Sequence, residues 1–376
     1  MSSNKSSKRR RQRSQKIPIK VDERKFESKK EISQMLSLVE KIEDRSIRDK
    51  ALITIAKKVI DSDPGLALEI MEKIEDPLVR ASGLIELGMI IVDSSKDEAL
   101  AIAESIRPLL NENSPIELLE EFAVLMSKID LRGSLEWIKT LKDENIKNEI
   151  LTSIIDVTKK MAVIHPDKTV AKLDSLERSE ELAYLIKNLA PSIGSLAIID
   201  DNHTYELLEK LYKIAQEISD SAHKDAALSG ITLGFSVISI NKAMESLSSI
   251  KDNSYQQKTL REITNFLAQL SYTLYRKAKK YLNDSVDAMN RITDIHEKLV
   301  ALSNVSYNAM FIDQELAMNL LEKCMELDEN VANETLSKIA KTLAKENLML
   351  ALELTEKISD KKLRDETYAE IIKLIS

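Results

Sequence analysis

Apolar positions recur three and four residues apart along most of this chain, the spacing of an α-helix with one buried face. The run Leu66-Ala67-Leu68-Glu69-Ile70-Met71-Glu72-Lys73-Ile74 and the run Leu348-Met349-Leu350-Ala351-Leu352-Glu353-Leu354 combine that spacing with strong helix formers. The periodicity begins near Phe26 and places Ile32, Met35, Leu36, Val39 and Ile42 on one face. From Phe235 to Ser376 there is neither Gly nor Pro. A β-rich segment of that length would need turn residues, so the pattern predicts helix throughout.

A phrase recurs where one apolar run ends and the next begins. It reads aliphatic-x-Asp, then a basic or amide residue four positions on, then a large apolar residue four beyond that. The instances are Ile42-Asp44-Arg48-Leu52, Ile74-Asp76-Arg80-Leu84, Leu141-Asp143-Lys147-Leu151, Ile218-Asp220-Lys224-Leu228, Ile250-Asp252-Gln256-Leu260, Ile292-Asp294-Lys298-Leu302 and Ile358-Asp360-Arg364-Tyr368. The steps between the Asp residues are 32, 67, 77, 32, 42 and 66. Most are one or two units of about 32 to 35 residues, the period of stacked helix pairs. An Asp at such a junction can accept the free N–H groups of the next helix and complement its dipole. Pro77 after Asp76 supports that reading. The basic residue lies near a positive helix end and needs a compensating partner. The reading assigns it the Asp of its own or a neighbouring repeat, so that the set forms a structural ladder.

Segments such as Ile74-Glu75-Asp76-Pro77-Leu78-Val79-Arg80-Ala81 resemble the inter-helix turn of HEAT-type repeats, which carry a turn Asp and a following basic residue. The period is closer to that of tetratricopeptide repeats, whose aromatic and Gly signature is missing. The expected fold is all-α: a right-handed superhelical αα solenoid of about ten helix-pair repeats. Degenerate junctions near Pro108, Arg178 and Asp328 complete that number. Asp63-Pro64-Gly65 and His165-Pro166-Asp167 fall between the two helices of a unit. The 42-residue step from Asp252 to Asp294 contains a long helical stretch, Gln257 to Leu282, and extended helices or an extra turn account for its surplus length. The last helix, from Leu363, is expected to cap the array with a charged outer face.

Charge separates a tail from this body. Up to Lys20 there are eight basic residues and no acidic one: Lys5, Lys8, Arg9, Arg10, Arg11, Arg13, Lys16 and Lys20. Removing that +8 from the chain's net −7 leaves −15 for the remainder. Residues 1–25 read as a disordered basic tail and 26–376 as the solenoid domain. Lys8, Arg9, Arg10, Arg11, Arg13 and Lys16 are the candidate contacts to an anionic partner such as nucleic acid or a ribonucleoprotein. The tail holds no aromatic residue for base stacking.

Catalytic chemistry has little foothold. His165, His203, His223 and His296 fall in different units, with no second His or Cys at metal-ligand spacing. The seven glycines form no phosphate-binding pattern. His165-Pro166-Asp167-Lys168 shares its first three residues with the motif of J-domain co-chaperones, but the flanking segments do not match, and it reads as a loop before a helix. Cys324, the single cysteine, sits in the apolar run Met318 to Leu327 and reads as a core residue. One cysteine permits no intrachain disulfide and suits a reducing compartment. No stretch approaches about 18 to 20 uninterrupted apolar residues, so no membrane span is expected.

These observations predict a non-catalytic scaffold that binds a partner protein along its helical surface, without cofactor, in the cytoplasm. A nuclear site would require a eukaryotic source. A nucleic-acid or ribonucleoprotein accessory factor anchored by the tail is the alternative, and a helical-repeat enzyme with a concave active site a further one.

Overall fold

The computed structural model describes residues 21–274 and 277–376. These residues are 81% helical, with twenty α-helices and two short 3-10 turns, and no strand occurs among them. The chain divides into two compact units, Met1–Asp130 and Leu131–Ser376.

The first unit holds α1 (Val21–Val39), α2 (Arg45–Val59), α3 (Pro64–Glu72), α4 (Pro77–Ile91), α5 (Lys96–Ile106) and α6 (Ile116–Ile129). Here α2 packs on α3 and on α4, and α4 on α5 and on α6. Helix α1 begins inside the segment read as tail. The unbroken basic composition ends at Lys20, and acidic residues enter from Asp22. The junction expected near Pro108 is a 3-10 turn at Arg107–Leu109, and the next helix starts only at Ile116.

The second unit runs α7 (Leu131–Ile138), α8 (Glu144–Ile164), α9 (Pro166–Asp174), α10 (Glu180–Gly194), α11 (Asp201–Gln216), α12 (Ser221–Ile238), α13 (Ile240–Leu247), α14 (Asn253–Thr273), α15 (Ala278–Asn290), α16 (Ile295–Ala309), α17 (Gln314–Leu327), α18 (Glu329–Leu343), α19 (Leu348–Glu356) and α20 (Lys361–Ile375). The even-numbered helices that follow a repeat Asp or its equivalent pack in series: α8 on α10, α10 on α12, α12 on α14, α14 on α16, α16 on α18 and α18 on α20. Each odd-numbered helix packs on an even-numbered neighbour: α7 and α9 on α8, α11 and α13 on α12, α15 on α14, α17 on α16 and α19 on α18. Of the two ways to hold the surplus in the stretch Gln257 to Leu282, the chain takes the extra turn. Helix α14 ends at Thr273, Leu274 leaves helical geometry with φ −113 and ψ 77, and α15 turns back onto α14. Both segments carry an apolar face, and packing those faces together outweighs continuing a single exposed helix.

The core is aliphatic. At the position two before the repeat Asp, Ile74, Leu141, Ile218, Ile250, Ile292 and Ile358 are buried, and Ile42 is half-buried. At eight after it, Leu52, Leu84, Leu228, Leu260 and Leu302 are buried, while Leu151 and Tyr368 are half-buried. No described residue has a positive φ. The connectors thus close without left-handed residues, which explains how the last third of the chain turns repeatedly without Gly.

Helices α10 and α12 approach most closely. A Cβ on Gly230 would lie 2.2 Å from the Lys187 backbone oxygen, and one on Gly194 would lie 2.5 Å from Gly234. Such contact between backbones is open only to Gly. Helix α12 is buried almost all round, from Asp225 to Val237.

Candidate interaction surface

The seven repeat Asp residues each cap a helix. Asp44 accepts from the N–H of Ile47, Asp76 from Leu78 and Val79, Asp143 from Asn145 and Ile146, and Asp220 from His223. Asp252 accepts from Tyr255, Asp294 from His296 and Glu297, and Asp360 from Leu363. A second series caps the odd-numbered helices α3, α11, α17 and α19 through Asp63, Asp200, Asp313 and Asn347.

Four of the seven basic or amide members take a partner other than the one the sequence suggests. Among the described residues none of them pairs with a repeat Asp. Lys224 Nζ donates to the Gln216 carbonyl at 2.7 Å, Gln256 Nε2 to Ile250 at 2.6 Å and Arg364 Nη1 to Ile358 at 3.2 Å. Gln216 ends the preceding helix, where free C=O groups and the negative dipole end favour a donor, and Ile250 and Ile358 lie in the connector just beyond it. Each Asp is already committed to backbone N–H groups. Lys147 instead pairs with Glu144 at 2.7 Å. The side chains of Arg48, Arg80 and Lys298 form no hydrogen bond or ion pair among the described residues; Arg80 lines a recess of about 270 Å³ in the first unit.

The bonds that join one repeat to the next come from one residue further along. Asp225 accepts from Lys251 N–H at 3.1 Å and Asp252 N–H at 3.0 Å. Gln257 Oε1 accepts from Thr293 N–H at 2.7 Å and Asp294 N–H at 3.2 Å. Asn333 Oδ1 accepts from Ser359 N–H at 3.0 Å. All three side chains are buried, and each lies five residues after its own helix's capping Asp. A polar residue in the middle of an apolar stripe, repeated at that offset, was the available signal.

The candidate contacts Lys8, Arg9, Arg10, Arg11, Arg13 and Lys16 lie outside the described residues. Asp167 of the His165-Pro166-Asp167 turn sits in the first turn of α9 and meets His203 Nε2 at 3.0 Å. Cys324 is buried, and burial pushes its thiol up to about 11, away from nucleophilic chemistry. No described group of three or more His, Cys, Asp or Glu could hold a metal ion, and no described helix is long and apolar enough to cross a membrane.

What the long helices do display is aromatic. Aromatic residues are 4% of the chain, yet three meet on α14 and the end of α16. Phe311 stands edge-on to Tyr272 at 5.1 Å between ring centroids and to Tyr307 at 5.6 Å. Tyr272 is 52% exposed. Lys338 of α18 lies 4.6 Å over the Tyr307 ring, whose hydroxyl meets Thr342 Oγ1 at 3.2 Å. Further along the same series, Lys187 of α10 reaches the Tyr255 hydroxyl of α14 at 3.2 Å. Beside it a recess of about 340 Å³ is lined by residues of α8, α10, α12 and α14, including Lys159, Lys187, Asn188, Ser192, Ser229 and Glu262.

The class these features define is an all-helical protein of neighbouring helix pairs. No protein-family model and no curated protein matches the chain. Among solved structures, the crystal structure of Ton1535 from Thermococcus onnurineus NA1 aligns over 93% of this chain and 96% of that one, at 15% identity and a TM-score of 0.29. A superposition that loose carries no argument.

Proposed function

We propose that the chain is a non-catalytic protein-interaction scaffold, a HEAT-like or tetratricopeptide-like solenoid of right-handed superhelical form that binds a partner along its long-helix series. The observation that carries the reading is the ring cluster of exposed Tyr272 with half-buried Tyr307 and Phe311, and Lys338 beside it. Tyr presents large contact area at low entropy cost and is enriched where proteins bind proteins. Capture of partners on the full chain tests the proposal, comparing wild type with a Tyr272→Ala, Tyr307→Ala double variant. The expected result is loss of the captured protein with an unchanged circular dichroism melt. Equal capture by both would overturn it.

The basic run from Lys8 to Lys16 favours a second reading, a nucleic-acid or ribonucleoprotein accessory factor. Nuclease treatment during the same capture separates the two, because a protein docked on the helices survives it.

A further inference from the structure

Helix α20 leaves open a face that its counterparts bury. In α2, α4, α8, α12, α14, α16 and α18 the residue twelve after the capping Asp is buried, and so is the residue fifteen after it. Thr264 and Leu267 hold these places on α14, and Ala340 and Leu343 on α18. The next long helix is what lies against this face. A Cβ on Gly88 of α4, at the twelfth place, would stand 2.6 Å from the Leu125 side chain of α6. On α18, Ser337 meets Thr367 of α20 at 2.7 Å and Lys341 meets Glu370 at 2.8 Å. On α20 the same two places are Ile372, 62% exposed, and Ile375, 48% exposed. The charged outer face expected of this helix therefore holds only over its N-terminal half. Ile is a poorer helix former than Ala, so on an exposed face it does nothing for the helix itself.

The charges on that face select what covers it. Asp365 and Ala369 precede Ile372 at helical spacing, and Lys373 follows it. Asp365 and Lys373 are both exposed, and neither makes an ion pair among the described residues. A second α20 laid antiparallel sets Asp365 against the partner's Lys373 at both ends and Ile372 over small Ala369. It also opposes the two helix dipoles. Laid parallel, the two helices would bring like charges together. The face is thus self-complementary about a two-fold axis near Ala369, as an isologous contact requires.

We infer that α20 pairs antiparallel with α20 of a second copy of this chain, through Ala369, Ile372 and Ile375, flanked by Asp365–Lys373 ion pairs. The contact stands apart from the scaffold reading, whose ring cluster lies on α14 and the end of α16. One helix against another buries less than the roughly 800 Å² per partner of a standard interface, so the dimer is a weak one that forms in the micromolar range.

Sedimentation velocity of the full chain over a concentration series tests this, and the expected result is a reversible monomer–dimer equilibrium. Ile372→Glu should weaken the dimer about a hundredfold by placing a charge in the apolar contact. Its circular dichroism melt should match wild type, because the position is exposed in the single chain. Asp365→Lys and Lys373→Asp should each weaken the dimer about tenfold, and the double swap should restore it, which misfolding cannot do. Ala369→Cys should join two copies through a short bis-maleimide, since the native Cys324 is buried. Lys361→Cys should not, because its two copies stand roughly 25 Å apart along an antiparallel pair. A chain that stays monomeric throughout the micromolar range would overturn the inference. So would a dimer indifferent to Ile372→Glu, cross-linking at both positions, or open-ended oligomers.

Discussion

Asp225 is 2% exposed and spends its carboxylate on two backbone N–H groups of the next junction, those of Lys251 and Asp252. Removing it strands both donors in a partly buried turn. Asp225→Ala should therefore cost about 1 to 3 kcal/mol, through the desolvation of unpaired N–H groups. The neighbouring cap variant Asp220→Ala loses a bond at an exposed helix start, and its expected cost is about 0.5 to 2 kcal/mol. Asp225→Asn should retain most of the stability, because Asn333 makes the equivalent bond with an amide oxygen. Urea melts of the three variants check the order. At this scale the capping Asp residues are legible in the sequence, since an N-cap is a local event decided by the residues around it. The partner of the basic residue is not legible. Lys224 reaches a carbonyl at the end of the preceding helix and Arg364 one in the connector after it, and only the turn geometry says that those carbonyls are closer than any Asp.

At the scale of elements, helix existence follows from local spacing, but the choice of contact does not. Gly230 and Gly234 stand four apart on α12, and that pattern marks a face made for close approach. Which helix approaches depends on the crossing of α10, with Gly194 and Lys187 opposite. The recess that this crossing opens is for the same reason invisible in the sequence. Likewise, the surplus length of this step allows an extra turn, but nothing local places it at Leu274, where it exists because α15 buries its face against α14. Gly230→Ala places a Cβ 2.2 Å from a backbone oxygen that no side-chain rotation can move. It should destabilise by about 1 to 3 kcal/mol through overpacking, although Ala is the better helix former. Gly65→Ala is the control. Its Cβ would have its nearest neighbour at 3.7 Å, an ordinary contact, so thermal melts should show that variant near wild type.

For the whole molecule, the question is how an acidic chain could hold an anionic polymer at all. The net charge is −7, and without the eight basic residues up to Lys20 it is −15. The body therefore repels phosphate on average, and any affinity for nucleic acid must reside in the first twenty residues. Truncating residues 1–20 should abolish salt-sensitive binding to duplex DNA while the circular dichroism spectrum of the helices persists. If all eight cations engage phosphates, the full chain's affinity should fall with salt at a log–log slope of about −7. Replacing Arg9, Arg10, Arg11 and Arg13 by Ala removes half of those charges and should roughly halve the slope. Titrations at two salt concentrations decide between the roles. Equal binding by full-length and truncated chains would move the contact onto the helices, against the field of the body. Binding by neither would leave the aromatic surface on α14 and α16 as the means by which the chain meets a partner.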